Sequence, residues 1–117
     1  MGMSVEAGEF RDVMARLATG VTVVAASDPG GPACGLTASA VTAVSLGPPL
    51  VLVCVDRAAD THACIERPRA FAVNTLGEDD KQLAGRFARG GSARVVAGAR
   101  PGSPLLYCAG EFGRFVP

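Results

Sequence analysis

"GLTASAVTAVSLGPPLVLVCVD", residues 35–56, is two apolar runs joined at Gly47-Pro48-Pro49. Proline has no amide hydrogen and a fixed φ, so a Pro-Pro pair cannot continue a β-ladder, and the chain must turn there. Residues 34–45 read as one strand and "LVLVCV", residues 50–55, as a second. The second lacks any polar alternation, which predicts a strand buried on both faces and paired antiparallel with the first through a short turn.

The first run carries hydroxyls at Thr37, Ser39, Thr42 and Ser45. Thr37 and Ser39 occupy alternate positions, so an unbroken strand presents both to the same face. One explanation is that threonine and serine merely fill strand positions, threonine having good β-propensity. The other is a binding face, where hydroxyls and main-chain donors near Gly35 and Ala38 approach a planar polar heterocycle bearing phosphate. Phosphate needs several N–H or O–H donors and an arginine, which Ser39, Thr61 and either Arg89 or Arg57 supply from neighbouring loops. Neither G-x-G-x-x-G nor a Walker lysine is present, so pattern alone leaves both explanations open.

Upstream, "EAGEFRDVMARL", residues 6–17, puts Phe10, Val13, Met14 and Leu17 on one helical stripe, with Ser4 as N-cap and Gly20 as terminator. The stripe suits a helix packed on its own sheet or one that docks a partner; the first is the expectation. "GVTVVAAS", residues 20–27, is rich in β-branched residues, and "DPGGP" at 28–32 predicts a hairpin turn into the returning strand.

Downstream, Asp60 or Thr61 starts a helix that Pro68 stops, and "FAVNTL", residues 71–76, alternates as a strand. In "GEDDKQLAGRFARGG", residues 77–91, the acids Glu78, Asp79 and Asp80 fall in the first helical turn. Arg86 and Arg89 fall towards the last, and Gly90-Gly91 ends the helix, matching the macrodipole. "ARVVAG" at 93–98 is a weak strand, 98–104 a Gly-Pro joint, and "PLLYCAGEFGRF" at 104–115 two short strands about Ala109-Gly110. The fold class this order predicts is mainly β: a small antiparallel barrel with helices at its rim. Unpaired edges are usually covered, which predicts a two-fold dimer whose seam includes the sheet edge.

The chain has 117 residues, enough for one domain that removes roughly two-thirds of its unfolded surface from water. Its 11 basic and 11 acidic residues cancel, so no field draws in nucleic acid or an anionic membrane. With no secretory h-region and no run as long as a membrane span, the expectation is a soluble, cytoplasmic protein. Cys34, Cys54, Cys64 and Cys108 are scattered singly, and are read as small reduced core residues. His62-x-Cys64 is a poor metal couple, and His62 reads as a solvent-facing residue in a helix's first turn.

"ATGVTVVAA" (18–26), "GLTASAVTAVSLGPPLVLVCVDRAADT" (35–61) and "FAVNTLGEDDKQLAGRFA" (71–88) resemble, in order, the signature blocks of the flavin reductase-like family. The resemblance implies an FMN-binding split β-barrel, a homodimer with flavin at its interface, and an NAD(P)H:flavin oxidoreductase feeding a two-component monooxygenase. The cofactors it implies are FMN or FAD, with NADH or NADPH as co-substrate. Thr37, Ala38, Ser39 and Ala40 resemble the family's flavin cradle, and Asp56, Arg57 and Thr61 belong to a block similar to its phosphate loop.

Phe87 and Arg89 resemble the end of the helix that brings a basic residue to the phosphate, and the segment with Tyr107 and Arg114 resembles the family's carboxyl-terminal strand. The family often has serine where this chain has Ala40 and Ala58. Each charge-assisted hydrogen bond so lost is worth about 1.5–3 kcal/mol, which weakens flavin binding about tenfold or more. Between the last two blocks the family has further strands, one with a histidine on the nicotinamide side. Here only "RGGSARVVAGARPGS" (89–103) intervenes, and His62 does not take that histidine's place. The single domain, 1–117, is therefore expected to lack some of the family's C-terminal strands. That shortening leaves a rival, a non-catalytic flavin-binding or scaffold subunit, and a third reading, a small-molecule sensor without flavin.

Overall fold

The computed structural model describes residues 2, 4–27, 33–89, 105–108 and 111–114. The predicted turn at 28–32, the Gly90-Gly91 stop, the 93–98 strand, the 98–104 joint and the Ala109-Gly110 turn lie outside these residues. In chain order the elements are α1 (Ala7–Met14), β1 (Thr19–Gly20), β2 (Thr22–Ser27), β3 (Ala33–Ala38), β4 (Val41–Leu46) and β5 (Pro49–Val53). There follow α2 (His62–Glu66), β6 (Ala72–Thr75), α3 (Lys81–Ala88), β7 (Leu105–Cys108) and β8 (Glu111–Arg114).

Every strand pairing is antiparallel, and the strands fall into three sheets ordered β3-β2-β6, β4-β5 and β1-β7-β8. Among the described residues these sheets do not close on one another. The centre is β2, where Thr22 to Ala26 are all buried. Opposite β2, Val23 pairs with Thr37 and Asn74, and Val24 with Leu36 and Val73, so alternate residues of all three strands share a face. Helix α3 covers the Val23 face. There Val21, Val23, Leu76, Ala84 and Phe87 form one buried cluster with Leu83 against it. Burying a ring such as Phe87 contributes roughly 2–3 kcal/mol. The opposite face carries Cys34 and meets α2 through the Cys34–Cys64 disulfide.

Residues 34–45 are not one strand. Strand β3 ends at Ala38, whose carbonyl accepts a hydrogen bond from the Thr22 hydroxyl at 2.7 Å. The Val41 amide then donates to the Ser39 carbonyl at 3.0 Å, a tight turn that redirects the chain into β4. Pairing shifts between Ala43 and Ser45, a bulge in the β4–β5 hairpin. At its tip, which contains the cis Gly47–Pro48 peptide, the Ser45 hydroxyl donates to the Pro48 carbonyl.

The β5 run is not buried on both faces: Leu50, Val51 and Leu52 are all about half exposed, and Leu46 is 91% exposed. Among the described residues the hairpin pairs only with itself, and these apolar side chains stay exposed. The same correction applies to α1. It starts after Glu6 rather than at Ser4, ends at Ala15 rather than near Gly20, and leaves Phe10, Val13, Met14 and Leu17 exposed. Glu78 and Asp79 precede α3 instead of opening it, and Asp80 is its N-cap, with the Asp80 carboxylate accepting from the Gly77 amide at 2.9 Å. His62 is the first residue of α2, half-buried, with Nδ1 3.7 Å from the Glu66 carboxylate.

The approach of α3 to β3 depends on a glycine. A Cβ at Gly35 would stand 2.7 Å from Cε1 of Phe87, a ring only 3% exposed and unable to swing into solvent. Gly35→Ala is expected to destabilise the fold by roughly 1–3 kcal/mol, as overpacking does, read as a lower urea midpoint with unchanged slope.

Candidate functional site

Strand β3 is an edge: β2 pairs with it on one side and no described strand pairs with the other. Its open side continues into the Ser39–Ala40 joint, where small side chains leave the main chain accessible and both residues are exposed. The Cys54 amide donates to the Ala40 carbonyl at 3.0 Å. This bond lays the joint beside the end of β5, from which residues 56–61 depart.

That segment is a succession of turns. One carboxylate oxygen of Asp56 accepts from the Ala58 amide at 2.9 Å, and the Asp56 carbonyl accepts from the Ala59 amide at 3.0 Å. Asp56 thus shapes the loop, one of its oxygens being directed at its own backbone. Arg57 is exposed, whereas Thr61 is 8% exposed and serves as the N-cap position of α2.

The hydroxyls of the opening stretch divide by role. Thr37 faces α3 and donates to the Ala84 carbonyl at 2.6 Å, tying the edge strand to the helix whose C-cap is Arg89. Ser39 lies beyond the end of β3, so strand alternation does not place it with Thr37, and it is exposed. Thr42 is exposed, and Ser45 is spent on the hairpin tip. Arg89 is exposed at the end of α3.

The structure therefore brings Ala40 beside the start of the 56–61 loop and joins Thr37 to α3. Because α3 and α2 cover opposite faces of the sheet, Arg89 and Thr61 belong to elements flanking the β3 edge from either side. A ligand that meets both lies across that edge. The donor set suits an anionic heterocycle: main-chain amides and small side chains for a planar ring, with two exposed guanidiniums for phosphate.

Sequence reasoning missed three features. Gly35 carried a signal, since a glycine inside a strand marks close approach of another element. The Ala84 carbonyl that holds Thr37 carried none. The Cys34–Cys64 disulfide also had none, the two residues being 30 apart with no paired-cysteine motif, so these cysteines are not the reduced core residues expected. Cys54 is free and exposed.

Thr37→Val removes the bond to Ala84 at nearly constant volume and is expected to cost about 1 kcal/mol of stability, with Thr37→Ser retaining most of it. Urea unfolding of both variants checks this.

The flavin reductase like domain model matches residues 14–102. The reductase component of a 4-nitrophenol 4-monooxygenase/4-nitrocatechol 2-monooxygenase from Rhodococcus opacus is 36% identical over 151 residues, covering 93% of this chain and 81% of that protein. An FMN reductase (NADH), RutF 1, from Methylorubrum extorquens strain PA1 is 41% identical over 112 residues, covering 89% of this chain and 54% of that protein. The chain thus spans about half the length of several curated relatives it matches. Among solved structures, the NADH:FAD oxidoreductase SgcE6 of Streptomyces globisporus superposes with a TM-score of 0.80 at 25% identity, covering 100% of this chain and 99% of that one. With the antiparallel sheets and peripheral helices described above, these matches establish that the chain belongs to the flavin reductase-like family.

Proposed function

We propose that this chain is an NAD(P)H-dependent flavin reductase that supplies reduced FMN or FAD to a partner monooxygenase in the cytoplasm. The observation that carries the reading is the edge of β3, with an accessible joint at Ser39–Ala40 held against the root of the 56–61 loop. The names of the relatives support the same chemistry: a monooxygenase reductase component, an FMN reductase using NADH and an NADH:FAD oxidoreductase. A bound flavin supplies the hydride acceptor, so the chain needs no acid–base side chain of its own.

The residues act by position. Thr37, Ala38, Ser39 and Ala40 form the wall along which the ring lies, Thr37 chiefly by fixing β3 to α3. Arg57, Thr61 and Arg89 bind the phosphate end, and Asp56 holds the loop in shape. Restricting the two reacting rings to one relative orientation is the entropic part of such catalysis.

The alignment with the Rhodococcus opacus protein runs over 151 residues against 117 in this chain, so at least 34 aligned positions have no counterpart here. Those missing positions keep the non-catalytic subunit as the second reading. Steady-state oxidation of NADH and NADPH with added FMN or FAD decides between them. Flavin-dependent turnover is the expected result; bound flavin without turnover establishes the carrier instead. A protein that neither turns over nor quenches FMN fluorescence defeats both.

The homodimer belongs to the same proposal. No described helix is long and apolar enough to cross a membrane. The exposed stripe of α1 and the β4–β5 hairpin, with Val44, Leu46 and Leu50 exposed, suit a second copy. Leu46→Glu is expected to convert a dimer into a monomer in sedimentation velocity, and to lower flavin affinity with it.

A further inference from the structure

The Cys34–Cys64 bond stands at a place where a covalent tie decides local order. Helix α2 has five residues, no side-chain N-cap hydrogen bond and no buried residue. A helix that short does not persist without tertiary support. The His62–Glu66 ion pair lies within the helix and fixes nothing to the sheet. The disulfide ties the helix covalently to β3, beside half-buried Ile65 and with buried Thr61 just before it. The bridged loop, 34 to 64, encloses every candidate site residue except Arg89. Cys34 is 7% exposed and paired with Ala26 of the central strand, so it is the fixed end; Cys64 is half-buried on the small helix and is the releasable end.

We propose that this disulfide is a redox control on the flavin site: oxidised, it clamps the phosphate loop and α2 to β3; reduced, it frees them and weakens flavin binding. The inference rests on the flavin reading above. In a reducing compartment protein disulfides are mostly transient and regulatory, which fits the cytoplasmic placement proposed.

The reductant is a dithiol. One of its thiolates attacks the Cys64 sulfur, forming a mixed disulfide and expelling Cys34 as a thiolate, which takes up a proton. The second thiolate of the reductant then attacks its own bridged sulfur, closing the reductant's disulfide and releasing Cys64, which is protonated in turn. Two electrons and two protons pass from the dithiol to the protein. The buried cluster beneath α3 contains neither cysteine, so the sheet survives the change.

The test uses the whole chain, oxidised or reduced with dithiothreitol, then desalted without oxygen and alkylated with iodoacetamide in both states. Peptide mapping without reductant identifies the linked Cys34 and Cys64 peptides. Hydrogen exchange is followed at residues 57–66, including the Ile65 amide that donates to the Thr61 carbonyl. FMN affinity comes from fluorescence quenching.

Reduction is expected to speed exchange in 57–66 about tenfold while β2 and α3 keep their protection, a local opening. If the ordered loop falls to about a tenth of molecules, FMN affinity falls about tenfold. A Cys34→Ser/Cys64→Ser double variant is expected to match the reduced protein with or without dithiothreitol. Unchanged exchange, or the absence of the linked peptides, overturns the clamp. Equal FMN affinity in the two states overturns the control and leaves the flavin reading standing. FMN binding in neither state overturns the flavin reading, and the control with it.

Discussion

The doubly covered central strand is the constraint from which the rest follows. Strand β2 is buried from Thr22 to Ala26, so both faces of the β3-β2-β6 sheet must be covered within a small chain. Helix α3 covers one face with Ala84 and Phe87. The other is met by α2, which has no fully buried residue of its own and is joined to β3 covalently. Covering both faces leaves the sheet's edges as the places where the main chain can meet a ligand. The β3 edge is the one to which the 56–61 loop is delivered.

How close α3 comes to that edge is set by two residues that do opposite things. Gly35 removes a side chain so that Phe87 can sit against the backbone, and Thr37, two residues on, adds a hydroxyl that reaches the Ala84 carbonyl. Space and a directional bond together fix the register of helix and strand. Arg89, at the helix end, inherits its position from that register.

Much of this order was legible in the sequence because it depends on local chemistry. The hairpin of β2 and β3, the Pro-Pro break, the β6 strand and the α3 helix all follow from β-branched runs, proline geometry and helical periodicity. Where the reading failed, the deciding partner lay far along the chain. The break in the strand from 34 to 45 falls where the Thr22 hydroxyl, sixteen residues upstream, bonds the Ala38 carbonyl. The disulfide joins residues 30 apart, and neither cysteine carries a motif that names the other. The hydroxyl question had a divided answer for the same reason: Thr37 is structural through Ala84 and Ser45 through Pro48, whereas Ser39 and Thr42 are exposed with no such tie to another element. For the site itself, the family's blocks marked the segments, while nothing in the sequence told that Thr37 would turn towards the helix.

The apolar residues that a single chain leaves exposed bear on function as much as the donors do. The amphipathic stripe of α1 and the unalternating run of β5 were each read as burial within one chain, and each stands in solvent there. Their apolar patterns are real, and the described residues of one copy do not bury them. A sheet hairpin that pairs only with itself is marginal in water, so β4–β5 needs a covering surface to hold its shape. The Ala40–Cys54 bond connects that hairpin directly to the joint of the proposed cradle. Whatever covers the hairpin therefore also steadies the wall along which the ring would lie. A surface that covers the hairpin would thus bear on the proposed cradle through the Ala40–Cys54 backbone hydrogen bond.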